Sequence, residues 1–292
     1  MINAWGEKRI FKKGEEAFNA AVVNLGALGV ISEVTIQVTN AFNLHDKTFT
    51  EKFETVIDKI DEYVHGCDHF KLLWLPPSDD VVVYTYRRTQ EKTNDSRFRQ
   101  IINDEIISVL GYRLLVKIGN LHRPWRAPIN KFLTQNFDNP LDRIEKSYKV
   151  FNVPEPPRHR ETEWAFDFKD AKEIHTAYRE IFIQSTHTFI FIQEIRFTKK
   201  DDFGMSECYG RDTSGLVHTI MMMSNGLRYF QIFKPLRKTT TADYIGGKEF
   251  SVNGENIAAI YPRYQDFVSF KQSIDPDGKF PNHLINKLFQ AA

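Results

Sequence analysis

The chain has 292 residues, 41% of them hydrophobic and 13% aromatic, enough to bury one large core or two smaller ones. Lysine and arginine number 39 against 38 aspartates and glutamates, a balance that excludes the broad basic footprint a nucleic-acid backbone requires. Cys67 and Cys208 stand far apart in no metal-ligand spacing, which argues against a disulfide framework or a zinc site and for a reducing compartment.

The start, Met1-Ile2-Asn3-Ala4-Trp5-Gly6, lacks the pattern of a signal peptide, and no stretch reaches the roughly 20 apolar residues that span a bilayer. An intracellular protein, soluble or peripherally bound to a membrane, is expected. In chain order, Glu15 to Leu25 has helical periodicity, Gly26-Ala27-Leu28-Gly29 breaks it, and Val30 to Val38 alternates as a strand. Apolar residues from Phe49 to Val64 recur at helical spacing. Phe70 to Leu75 reads as a strand stopped by Pro76-Pro77, and Val81 to Tyr86 as the next.

Gln90 to Pro140 is polar and basic and reads as helices. Within it Ile106 to Leu121, interrupted by Arg113 and Lys117, is expected to be an amphipathic helix packed on protein, with a membrane-surface helix as the lesser alternative. Further strands are expected at Thr162–Phe166, Thr188–Phe197 and Leu216–Met223, and helices at Asp170–Ile183 and Asn256–Ile274, the last closed by the turn Asp275-Pro276-Asp277-Gly278. Helix and strand alternate without a regular βαβ period, so the fold class expected is α+β.

In Ile192-Gln193-Glu194-Ile195-Arg196-Phe197, residues two apart point the same way, so Glu194 and Arg196 share a strand face. Spacing alone leaves a solvated sheet face as the commoner explanation. His218 lies in an apolar strand, where a lone histidine is more often a hydrogen-bonded core residue. Lys248 follows Gly246 and Gly247, which permit close approach of backbone to a ligand. The turn at Gly26 is not GxGxxG and follows no strand, so a Rossmann site is excluded.

Asn24-Leu25-Gly26-Ala27-Leu28-Gly29-Val30-Ile31-Ser32-Glu33-Val34-Thr35 resembles the segment that closes the FAD-binding domain in the vanillyl-alcohol oxidase superfamily. Glu194-Ile195-Arg196-Phe197, then Lys248, Tyr261-Pro262, Phe267, Asp275-Pro276, Gly278, Phe280 and Asn282, resemble the aldonolactone oxidases, which include gulonolactone, galactonolactone and arabinonolactone oxidases and the alditol oxidases. Phe70-Lys71-Leu72-Leu73-Trp74 and Trp164-Ala165 also fit. Where that family has His-Trp-Gly-Lys, this chain has Ile245-Gly246-Gly247-Lys248.

The resemblance implies residues 1–40 as the C-terminal remnant of a PCMH-type FAD-binding domain, and 41–292 as a substrate (cap) domain with a mixed, mainly antiparallel sheet flanked by helices. It implies FAD as cofactor, touched by Gly26, Gly29, Val30, Ile31 and Lys248, with no metal. It implies oxidation of a sugar lactone or polyol of the D-arabinono- or L-gulono-1,4-lactone kind, as in ascorbate synthesis, with Glu194, Arg196, His218 and Lys248 as catalytic residues and His218 as proton acceptor. The missing FAD-domain segment would be supplied in cis or in trans. The alternative is a non-enzymatic cap or partner subunit that holds no FAD by itself.

Overall fold

A computed structural model describes residues 1–94, 110–136, 140–152, 159–184, 191–221, 242–244, 248–250 and 254–289. The α+β expectation holds. Eight strands form one sheet: β1 (Asn43–Lys52), β2 (His69–Trp74), β3 (Asp80–Thr89), β4 (Leu141–Lys146), β5 (His159–Asp167), β6 (Gln193–Thr198), β7 (Thr213–Met221) and β8 (Ala242–Tyr244). Their order is β4-β1-β3-β2-β6-β7-β5-β8, and every pairing is antiparallel.

One face of the sheet is dry. Leu72, Trp74, Val83, Trp164, Phe166, Ile195 and Leu216 pack there under helices α2 (Phe53–Asp58), α3 (Ile60–Gly66), α7 (Ala171–Gln184), α9 (Tyr264–Ile274) and α10 (His283–Phe289). Trp74 sits fully buried at the centre, with ring centroids of Phe53, Tyr178 and Phe182 at 5.3, 5.9 and 5.5 Å, and its indole N–H donates to the Ser78 carbonyl at 2.7 Å. That bond satisfies the one polar atom of the ring inside an apolar layer. Beyond α1 (Glu16–Val22), the Gly26 turn feeds Ala27 and Leu28 into the same core.

The other face is apolar at one end, where α4 (Tyr112–Leu121) and α5 (Arg126–Asn136) close over Leu75 with Tyr112, Val116, Ile129 and Leu133. Asn130 donates to the Pro76 carbonyl at 2.5 Å, and the Thr50 hydroxyl donates to the Thr134 carbonyl at 2.9 Å, tying α5 to the sheet. Toward its middle this face carries charged and polar side chains. The short helix α6 (Ser147–Val150) follows β4.

Several boundaries differ from expectation for identifiable reasons. Val30 to Val38 forms no ladder: Val30 makes a single bridge to Ile2, and Val34, Ile36 and Val38 are exposed on an extended chain without a partner strand among the described residues. Alternation licenses a strand, but only a neighbour makes one. The helical spacing from Phe49 begins inside β1, so the helix starts at Phe53. The Asn256–Ile274 helix is two, α8 (Gly254–Ile260) and α9, because a residue preceding proline is driven out of the helical region at Tyr261-Pro262. Of the expected strands, the stretches 188–190 and 222–223 lie outside the described residues.

Candidate active site

The charged face is built by strand parity. Register pairs Arg196 with Lys71 of β2 and Gly215 of β7, and Glu194 with Leu73 and Val217. Val217 in turn faces Glu163 of β5, and Thr219 faces Glu161. Paired residues share a face, so Lys71, Glu194, Arg196, Glu161, Glu163 and Thr219 all project from the same side of four adjacent strands.

Their charges alternate. Lys71 Nζ lies 3.3 Å from Glu194 Oε1, Glu194 Oε2 lies 2.5 Å from Arg196 Nη2, and Arg196 Nη1 lies 4.0 Å from Glu163 Oε1. Lys248 donates to Glu161, whose other oxygen is 3.0 Å from His159 Nε2. Gly215, opposite Arg196, has no side chain to fill the space beside the guanidinium. Glu194, Arg196, Lys71, His69 and Tyr86 line a cavity of about 810 Å³, the size of a small-molecule site.

Burial pushes the Glu194 carboxyl up, but the Lys71 and Arg196 cations outweigh it and hold the group below the usual carboxylate range. Glu163 ends the other way. It is almost fully buried, and burial raises its carboxyl despite the opposing charges of Arg196 and Lys248. Two carboxyls flanking one guanidinium thus have opposite proton affinities, a division that suits one to stay charged and the other to exchange a proton.

His218 requires a correction. Residues 217 and 219 of β7 point to the charged face, so 218 must point to the other. There it is 1% exposed, its Nδ1 meets Gln193 Oε1 at 2.5 Å, its ring lies 5.6 Å from Phe182, and Tyr178 donates to the same Gln193 oxygen at 2.8 Å. It belongs to a buried polar network, apart from Glu194 and Arg196. Gly26 and Gly29 shape the turn after α1. Gly26 takes a φ of +77° in a turn capped by Asn24, and Gly29 has a φ of +147° with the Ile2 carbonyl so close that a Cβ would collide with it. The Val30 and Ile31 side chains are exposed. Gly246 and Gly247 lie outside the described residues, whereas Lys248 is described but does not line the cavity.

Sequence reasoning missed Lys71, Glu161, Glu163 and Thr219 as members of this face. The Glu-x-Glu alternation of β5 was the available signal. Among the described residues no group of three His, Cys, Asp or Glu side chains is placed to hold a metal ion, and both cysteines are free.

Burial holds His175 and His218 down to about 3. Because unfolded histidine titrates near 6.5, the unfolded chain takes up these protons first. Stability is therefore complete above about pH 6.5 and is lost as pH falls toward 3, by about 1.4 kcal/mol per pH unit for each ring. Urea midpoints should drop between pH 7 and 5.5, and His175→Phe should remove roughly half of the drop. An unchanged slope in that variant would place the acid sensitivity elsewhere.

The helix-backed antiparallel sheet is a fold that solved flavoenzymes share. Cholesterol oxidase from Brevibacterium sterolicum (His121Ala mutant) superposes with a TM-score of 0.74 over 96% of this chain and 65% of that one, at 13% identity. The family model of D-arabinono-1,4-lactone oxidase matches residues 34–288, and the chain belongs to that family, whose cofactor is FAD. The L-gulono-1,4-lactone dehydrogenase of Mycobacterium tuberculosis is 27% identical over 293 residues, 99% of this chain and 67% of that protein. The L-gulonolactone oxidase of Scyliorhinus torazame is 27% identical over 94% of this chain and 63% of its own length. A Streptomyces alditol oxidase is 23% identical over 99% and 66%. The chain thus spans about two thirds of the length of the relatives it matches.

Proposed function

We propose that this chain supplies the substrate-side half of an oxidoreductase that oxidises the CH–OH group of an aldono-1,4-lactone, with D-arabinono- and L-gulono-lactone as the candidate substrates. The observation that carries the reading is the Glu194–Arg196 pair, held 2.5 Å apart at the wall of a cavity of about 810 Å³. We assign residues 1–40 to the end of the flavin-binding domain and 41–292 to the substrate domain. The extended, unpaired stretch after Val30 supports that division, as does the start of the family match at residue 34.

FAD fits this face in part. Arg196 and Lys248 are cations suited to the electron-rich pyrimidine edge of a flavin, which when bound accepts the hydride from the substrate carbon. The pyrophosphate is to be met by an upstream segment in cis or in trans, since the Gly26 amide is already given to the Asn24 side chain. Arg196 presents a planar fork to a substrate oxygen. Glu194, fully ionised, orients that fork and accepts from a neighbouring hydroxyl, while Lys71 fixes the far side of Glu194. Glu163, whose carboxyl is raised by burial, lies 4.0 Å from Arg196 Nη1 and balances the guanidinium charge.

The test is turnover. A fusion of this chain to the flavin-binding portion of a relative, loaded with FAD, should oxidise aldono-lactones and bleach the flavin under anaerobic conditions. A flavin-loaded fusion inert toward both lactones and alditols would overturn the assignment.

A further inference from the structure

Strand β5 carries two glutamates two residues apart, Glu161 and Glu163, and each meets one cation. Glu161 accepts from Lys248. Glu163 Oε1 lies 4.0 Å from Arg196 Nη1, while Glu194 takes the other terminal nitrogen, Nη2, at 2.5 Å. The room for Glu163 comes from its neighbours. Its register partner is Val217, but its carboxyl leans along β7 toward Gly215, which pairs with Arg196 on one side and Ala165 of β5 on the other. A Cβ on Gly215 would meet Glu163 Oε1 at 3.4 Å and the Arg196 Cβ at 3.9 Å. The carboxyl thus lies over bare backbone, and a glycine beside a small residue lets an almost fully buried glutamate reach an arginine two strands away.

Glu161 is braced in a different way. The Glu249 amide donates to the Glu161 carbonyl at 2.9 Å, and Arg160 Nε lies 2.7 Å from Glu249 Oε1, so the segment that carries Lys248 is fastened to β5 through its backbone and through an ion pair. His159 Nε2, 3.0 Å from Glu161 Oε1, holds the carboxylate oxygen that Lys248 does not take.

We propose that Glu161 and Glu163 are positioning residues of this site: Glu163, lodged in the slot over Gly215, fixes the plane of the Arg196 guanidinium, and Glu161 fixes the Lys248 ammonium. The proposal rests on the reading of Arg196 and Lys248 as the cations that meet the flavin. A guanidinium flanked by carboxylates at both terminal nitrogens has its plane set by two anchors rather than one. An ammonium on a flexible stem has no plane to fix, so a single carboxylate suffices for Lys248. Burial raises the Glu163 carboxyl against the cations Arg196 of β6 and Lys248, and Glu194 of β6 and Glu207 of the loop before β7 add to the rise. Glu194, despite its burial, is held low by Lys71 and Arg196, so the two carboxyls beside the guanidinium titrate apart.

In the purified 292-residue chain, the nitrogen resonance of Arg196 Nε should shift with pH in a step above the usual carboxylate range, and Glu163→Gln should abolish that step. Gly215→Val, which fills the slot, should abolish it too, whereas Gly215→Ala, whose methyl meets only ordinary contacts, should keep it. Circular dichroism checks the fold of Gly215→Val, and Glu163→Gln, which keeps the shape of the side chain, carries the test if that variant fails to fold. Lys248 should react with an amine-acylating reagent about tenfold faster in Glu161→Gln than in the parent, since the charge-assisted bond that occupies it is weakened. In the flavin-loaded fusion, Glu163→Gln should lower kcat about tenfold with KM little changed. A parent chain without the step, a step that survives Glu163→Gln, unchanged labelling of Lys248 in Glu161→Gln, or unchanged kcat in Glu163→Gln would each overturn the proposal. The resonance and the labelling need no flavin, so they judge the positioning even where an inert fusion has defeated the catalytic reading.

Discussion

Arg196→Lys is expected to lower turnover by about 10²- to 10³-fold in a flavin-loaded form of the protein, the range seen when one directed donor is removed from a developing charge. A lysine keeps the charge but not the plane: it cannot contact Glu194 and a substrate oxygen at once through parallel N–H groups. Glu194 would then lose its 2.5 Å partner, leaving Lys71 alone to hold it. The loss should fall mainly on kcat if Arg196 acts on the reacting oxygen. Equal loss in KM would mean that it only binds the lactone ring, and unchanged kinetics would remove it from the site. Glu194→Gln keeps the geometry and removes the charge, so a smaller loss is expected there.

The second large effect concerns the cofactor. Purified alone, the 292-residue chain is expected to be colourless and to bind FAD at least a thousandfold more weakly than a fusion carrying an upstream flavin-binding portion, a difference of about 4 kcal/mol. A dinucleotide pyrophosphate needs several convergent backbone amides. The Gly26 amide is already given to Asn24 Oδ1, which leaves the 26–29 turn short of a convergent set. What remains toward the cofactor is the pair of cations Arg196 and Lys248. Isothermal titration with FAD and the absorbance of the purified chain decide it, and a yellow protein with stoichiometric flavin would show that the substrate half carries far more of the cofactor site than its side chains suggest.

The pairing of Glu194 with Arg196 was legible because a strand's two-residue period is a local property. The side on which His218 falls was not, because parity between strands depends on how a hairpin closes. Here β6 and β7 pair so that 194 meets 217, and the histidine is carried to the dry face. The same rule hid Glu161, Glu163 and Lys71, each unremarkable in its own segment. Strand β1 escaped notice for another reason: its first half carries His45, Asp46 and Lys47, and Asp46 is buried only because Arg143 meets it at 3.1 Å across the β1–β4 pair. Conversely Val34, Ile36 and Val38 carry the alternation of a strand with no neighbour among the described residues to complete it. Patterns of burial were readable in the sequence, whereas partnership between distant segments was not.

The two-sided character of β6 bears on how such a protein can be lost or altered. A substitution at Glu194 or Arg196 touches one charge and leaves the sheet intact. A one-residue slip of β6 against β2 and β7 would drive both charges beneath the sheet, toward Trp74 and Leu216, and bring Ile195 out onto the charged face. The register is therefore guarded by the core itself, since no slipped state can keep Ile195 buried. Drift in this strand is confined to exchanges that preserve its frame, which leaves β2, whose His69 and Lys71 line the same cavity, the freer wall to vary.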